Sequence, residues 1–190
     1  MNSEESGNEH ERRFHGDAAR LRAPDRIERL EVARVVALSL EGIKAASVLD
    51  VGTGTGLFAE AFASLVESVA GVDTNGELLA IARSHVPSAL LAEGPAEKLP
   101  FPDGSFDLVF MGTFLHEADD PLAALSEARR VSRLRVAILE WPFKEEESGP
   151  PIGHRLRPEA IEEIASKAGL HKADRISLAR MELYRFSRQE

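Results

Sequence analysis

The chain has no cysteine among its 190 residues. That absence excludes disulfides, thiolate zinc sites, iron–sulfur ligation and any cysteine nucleophile. An excess of positive charge is also missing. Twenty-three Lys and Arg against 32 Asp and Glu leave a formal charge of −9 with neutral histidines. A constitutive nucleic-acid binder needs the opposite balance, a basic footprint that displaces counterions from phosphates. No apolar run approaches the roughly 18–20 residues that a membrane-spanning helix requires. The first ten residues, Met1 to His10, are polar and lack the apolar stretch of a secretory signal. Glycine (14) and proline (10) are not in excess and 43% of residues are apolar, which excludes collagen-like, disordered and low-complexity chains. There is no internal repeat. What remains is a cytoplasmic globular chain of one domain.

What is present is an alternation. Residues 1–13 are charged and aperiodic, a frayed tail. Pro24 opens a predicted helix, with Asp25 and Glu28 near its positive end. Ile27, Leu30, Ala33, Ala37 and Leu40 recur at helical spacing, and Gly42 is the stop. Short apolar strands are then predicted at residues 47–51, 68–73, 89–92, 106–111 and 134–139. Helices are predicted between and after them at 57–66, 76–85, 121–131 and 158–168, and an antiparallel strand pair within 175–187. Apolar strands alternating with helices predict a single α/β domain. Its doubly wound, mostly parallel seven-stranded sheet carries helices on both faces, and its last two strands form an antiparallel pair. In such sheets ligands bind at the carboxyl ends of the strands, beside the topological switch point.

The strongest local signal is Val48-Leu49-Asp50-Val51-Gly52-Thr53-Gly54-Thr55-Gly56, between a buried strand and a helix. Glycines there allow positive φ and let a ligand approach the main chain. Asp73 closes the next strand 21 positions after Gly52, where an acceptor for ribose hydroxyls is expected. The spacing discriminates between nucleotides. A dinucleotide fingerprint needs a third glycine where Leu57 stands, and the phosphate-binding Gly-Lys pair occurs nowhere.

The remaining pattern, Asp-x-Gly-x-Gly-x-Gly, resembles the first motif of the class I S-adenosylmethionine-dependent methyltransferases, of the small prokaryotic type. Gly94-Pro95-Ala96-Glu97-Lys98-Leu99-Pro100-Phe101 resembles that family's adenine-side segment. Asp103-Gly104-Ser105-Phe106-Asp107, Leu115-His116 and Asp120-Pro121 resemble its fourth-strand region. The resemblance covers about residues 47–140. It implies S-adenosylmethionine as cofactor, with Gly52, Thr53, Gly54 and Gly56 along the methionine portion and Asp50 near its ammonium. It also implies Asp73 and Thr74 at the ribose, Ala96 and Glu97 at the adenine, and Gly112 at the sulfonium. Two alternatives stand beside these roles: Asp50 as a cap of the loop, and Glu97 as a solvated carboxylate. The chain departs from the family twice. Pro95 stands where an acidic residue is common, and Arg129 to Arg135 replaces the usual glycine turn before strand five.

The resemblance divides the chain into a flexible N-terminal tail or lid, residues 1–23, and the methyltransferase domain, residues 24–190. Phe14 and His15, with Trp141 and Phe143 after strand five, are the candidate substrate pocket, roofing an enclosed site for a small, apolar or neutral acceptor. Methyl transfer from a sulfonium needs collinear reacting atoms and exclusion of water. It needs a general base only where the nucleophile carries a proton. His116 is the candidate base, and no histidine or carboxylate cluster has a metal-ligand spacing. Without cysteine, methylation of the pyrimidine 5-carbon through a covalent adduct is excluded. The expected partner is a small molecule, neither nucleic acid nor membrane. Two other readings compete: a non-catalytic module that binds the cofactor or its demethylated product, and a nicotinamide oxidoreductase, which Leu57 disfavours.

Overall fold

The structure is a computed structural model that describes residues 18–146 and 148–188. Seven strands form one sheet in the order β3-β2-β1-β4-β5-β7-β6. They are β1 (Ser47–Val51), β2 (Ser68–Asp73), β3 (Leu90–Glu93), β4 (Phe106–Gly112), β5 (Ser132–Glu140), β6 (Leu170–Ser177) and β7 (Glu182–Arg188). The first five pair in parallel, while β7 runs antiparallel to both β5 and β6. The chain builds outward from β1 to β3, then crosses to lay β4 on the other side of β1. The switch point therefore lies between β1 and β4.

Among the described residues six α-helices cover the sheet: α1 (Pro24–Arg29), α2 (Val32–Leu40), α3 (Leu57–Ala63), α4 (Gly76–His85), α5 (Pro121–Val131) and α6 (Pro158–Lys167). Alternation along each strand feeds two cores. Val48, Leu108 and Phe110 pack with Val35 and Val36 of α2 and Phe58 and Phe62 of α3. Leu49, Val51, Val109 and Met111 face the other way, onto Leu125 and Ala128 of α5 and Ile161 and Ala165 of α6. Every residue of β1 is buried, as a strand covered on both faces requires.

The single helix expected over 24–40 is two. Glu31 takes φ 47°, a left-handed conformation, and breaks the chain between α1 and α2. Its carboxylate compensates by accepting from Arg34 Nη1 at 2.7 Å and from the Ala179 amide at 2.8 Å. Helical periodicity does not register such a break, because the apolar spacing continues through it. The last strand pair begins earlier than expected, at Leu170, since β6 is an edge strand with mostly outward side chains.

The arginine run has a structural account. Helix α5 ends at Val131 and β5 starts at Ser132, with no intervening loop. Arg129 donates to the Gly169 carbonyl, Arg130 pairs with Glu127 and Asp103, and Arg133 pairs with Asp107. Arg135 donates to the carbonyls of Ser39 and Glu41.

Candidate active site

The carboxyl ends of β1, β2 and β4 open into a cleft of about 1290 Å³. Its floor is the loop Gly52–Gly56, in which all three glycines have positive φ (70°, 52° and 78°). The loop is bolted to β2, since the amides of Gly52 and Thr53 both donate to the Val72 carbonyl, at 2.8 and 3.0 Å. Gly52 has no room for a side chain, because a Cβ would lie 2.6 Å from the Phe114 ring. Gly54 is open: its nearest neighbour would be Leu21 Cδ1, at 3.7 Å.

Asp50 is buried beneath this loop and accepts from Thr53 Oγ1 at 2.7 Å and from the Ala59 amide at 3.2 Å. Burial pushes its carboxyl up to about 7, against the lowering effect of those two bonds, and the nearby charge of Asp73 adds to the rise. Asp73 accepts from the Gly54 amide (2.8 Å) and the Asn75 amide (2.9 Å), one on each oxygen, and burial raises its pKa too. The Thr74 amide is a third donor to it, and the carboxylate still keeps a lone pair for a further one. Asn75 caps α4 through Oδ1. The Thr55 hydroxyl, also in the cleft wall, is buried with no hydrogen-bond partner among the described residues. Open glycine backbone, a part-buried carboxylate and an orphan hydroxyl fit a ribonucleoside bearing an amino-acid portion.

On the opposite wall, β4 ends at Gly112 and the chain turns at Thr113, a buried threonine at φ 55° whose amide donates to the Leu139 carbonyl at 2.7 Å. A 3₁₀ turn, Leu115–Glu117, then presents His116. Its Nδ1 lies 2.9 and 3.0 Å from the two oxygens of Glu140 at the end of β5. Its own amide donates to Glu140 Oε1 at 3.1 Å, and Nε2 lies 3.7 Å from Glu117. Burial disfavours the imidazolium, but the Glu140 charge and hydrogen bond, with Glu117 behind them, outweigh it and raise the pKa of His116.

The structure brings Asp50, Gly52, Thr53, Gly54, Asp73, Thr74, Ala96, Glu97, Gly112, His116 and Trp141 to one cleft. Gly56 turns away from it to pack against Ala82 of α4. Glu97 is anchored, accepting from the Asp120 amide at 3.3 Å. Phe143 is not in the cleft wall; its ring lies beneath the Arg157 guanidinium at 4.5 Å. Phe14 and His15 lie outside the described residues. Trp141 is nearly buried, flanked by Gly149 on one side and with Arg155 over its ring at 5.4 Å.

Three residues carry more than their sequence context announced. Glu140 pairs with a histidine 24 positions away, which no local pattern reveals. Arg26 reaches the cleft from α1. Arg155 is buried and donates to four carbonyls, those of Pro142, Lys144, Ser148 and Pro150, and so holds the segment after β5 as one wall.

Residues 49–136 match the methyltransferase domain family. Over these residues, a little under half of its length, the chain resembles the class I S-adenosylmethionine-dependent methyltransferases. A demethylmenaquinone methyltransferase of Chlorobaculum tepidum is 38% identical over 108 residues, which are 56% of this chain and 45% of that one. The uncharacterized methyltransferase YcgJ of Bacillus subtilis is 38% identical over 89 residues, 44% of this chain and 35% of that one. The chain thus spans about half the length of the curated relatives it matches, or less. Among solved structures, a SAM-dependent methyltransferase from Aquifex aeolicus superposes with a TM-score of 0.81 at 24% identity, covering 90% of this chain and 98% of that one. The [4+2]-cyclase SpnF superposes at 0.74 with 18% identity, covering 93% and 85%. S-adenosylmethionine is the cofactor of this family, and the cleft's chemistry fits it. Among the described residues no helix is long and apolar enough to cross a membrane, and no group of three or more His, Asp or Glu is placed to hold a metal ion.

Proposed function

We propose that the chain transfers the methyl group of S-adenosylmethionine to a small-molecule acceptor at the His116 end of the cleft. The observation that carries this reading is the placement of the Glu140-bound His116 and the glycine loop with Asp73 on opposite walls of one cleft. When bound, the cofactor supplies an electrophilic methyl on a positively charged sulfur.

The chain's own residues then have definable tasks. Gly52 and Gly54 let the methionine portion lie on backbone, and Asp73 takes a ribose hydroxyl on its remaining lone pair. Asp50 sets a negative charge beneath the ammonium, and Ala96 and Glu97 border the adenine. Gly112 ends β4 at the cleft, and a side chain there would run into the core rings of Phe110 and Phe58. His116 would take the proton of a protic nucleophile on Nε2. Glu140 holds Nδ1 and stabilises the imidazolium that results. The Trp141 wall keeps water from the reacting atoms.

The relatives named for demethylmenaquinone make that compound, in reduced form, the first acceptor to try. The test is transfer of radiolabelled methyl from the cofactor to an acceptor panel, beside calorimetry of cofactor and demethylated product. Transfer that falls at least a hundredfold in His116→Ala, with cofactor affinity kept, supports the reading. Tight binding without transfer to any acceptor would make the chain a binding module instead. The fold alone does not decide between these, since a [4+2]-cyclase shares it.

A further inference from the structure

Arg26 lines the cleft, where Glu117 acts on it electrostatically without forming an ion pair. It stands on α1, and its guanidinium donates to the Leu21 carbonyl and to Thr113 Oγ1, both at a long 3.3 Å. Both acceptors are neutral. Among the described residues no carboxylate lies within ion-pair distance of it. The neighbouring arginines differ: Arg22 pairs with Glu60, and Arg29 with Asp25 at 2.8 Å. Burial pushes the Arg26 guanidinium below its usual value, with Glu117 opposing and Arg29 adding to the fall. A half-buried cation held by two long bonds to neutral oxygens has donors left over for an anion.

The partner residue is also unusual. Thr113 is a buried, non-glycine residue in the left-handed region, a conformation that costs about 1–2 kcal/mol. That strain sets its hydroxyl under Arg26, and backbone strain of this kind gathers at ligand sites. The hydroxyl accepts from Arg26 and still has its own hydrogen to donate. Leu21, the other end of the bracket, faces Gly54. The guanidinium thus lies between the glycine loop and the end of β4.

We propose that Arg26 and Thr113 form a carboxylate-binding subsite of the cleft, the planar guanidinium taking both oxygens side by side and the threonine hydroxyl a third bond. This rests on the cofactor reading above. Two carboxylates can reach such a subsite, that of the cofactor's methionine portion and one carried by the acceptor. An acceptor carboxylate would replace the expectation of a neutral acceptor.

Calorimetry separates the sources. S-adenosylhomocysteine carries the amino-acid portion, and 5′-methylthioadenosine lacks it. Benzoate, titrated into protein saturated with S-adenosylhomocysteine, stands for an acceptor carboxylate. Each is measured on the parent, Arg26→Met and Arg26→Gln, with melting temperatures taken alongside; Thr113→Val serves should both arginine variants unfold. A cofactor subsite appears as at least a tenfold loss for S-adenosylhomocysteine with less than a threefold change for methylthioadenosine. An acceptor subsite appears as unchanged affinity for both nucleosides and loss of benzoate binding. If all three ligands bind folded variants and parent alike, the subsite is overturned while the cofactor reading stands. A parent that binds neither nucleoside overturns both.

Discussion

Glu140 holds His116 at three points, with both carboxylate oxygens on the ring Nδ1 and one of them also on the histidine's own amide. The imidazole cannot rotate without giving up this grip, so Nε2 is the nitrogen left for chemistry. The carboxylate also decides when that nitrogen is basic. Because the pKa of His116 is raised, the stabilisation from the pair is complete below about 6.5, the ordinary histidine value, and is lost as pH rises through the folded value above it.

Methyl transfer to a protic acceptor should therefore rise with pH along a limb centred above about 6.5, the ordinary value. Glu140→Gln removes the charge and should move that limb to lower pH while lowering the maximum rate. A limb that stays in place, read from kcat/KM against pH, would separate His116 from the proton transfer.

The glycines of the loop should divide by what they face. Gly54→Ala meets only Leu21 and costs about 1–2 kcal/mol for its left-handed φ. It should leave a folded protein that binds S-adenosylhomocysteine at least tenfold more weakly. Gly52→Ala drives a methyl into Phe114 and should lower the melting temperature well beyond Gly54→Ala. Equal melting losses for the two would refute the distinction.

Asp73→Ala removes a carboxylate whose charged hydrogen bonds are each worth about 1.5–3 kcal/mol. Nucleoside affinity should fall at least tenfold. Because the same carboxylate holds the Gly54 and Asn75 amides, Asp73→Asn should keep more of the melting temperature than Asp73→Ala. Affinity unchanged in either variant would place the ribose elsewhere.

Asp50 carries a pH signature of its own. With its carboxyl pushed up to about 7, it is largely protonated in the free protein at pH 6. Its raised value adds to stability below about 3.9, and that contribution is lost as pH rises toward 7. A bound ammonium favours the carboxylate, so ligand binding at pH 6 should release a proton. Calorimetry in buffers of different ionisation enthalpy reads that release, and Asp50→Asn should abolish it.

Much of this was legible in the chain. The bounds of β1, β2, α4 and α5 follow from short apolar runs between strong stops such as Asn75 and Asp120-Pro121, whose side chains cap the helices they open. The placement of the glycine loop, Asp73 and His116 around one switch point follows from strand order. What stayed hidden depends on distance in the chain. The Glu140 grip on His116, the reach of Arg26 to Thr113 across 87 positions and the four carbonyls around Arg155 are meetings that periodicity cannot encode.

The bend at Glu31 has one more consequence. Its carboxylate holds the Ala179 amide, in the turn between β6 and β7, far along the chain from the cleft. The residue that aims α1 across the cleft is thereby tethered to the antiparallel end of the sheet. Hydrogen exchange at that single amide then becomes a gauge of the mouth: a ligand that steadies α1 slows it, and one that leaves α1 untouched does not.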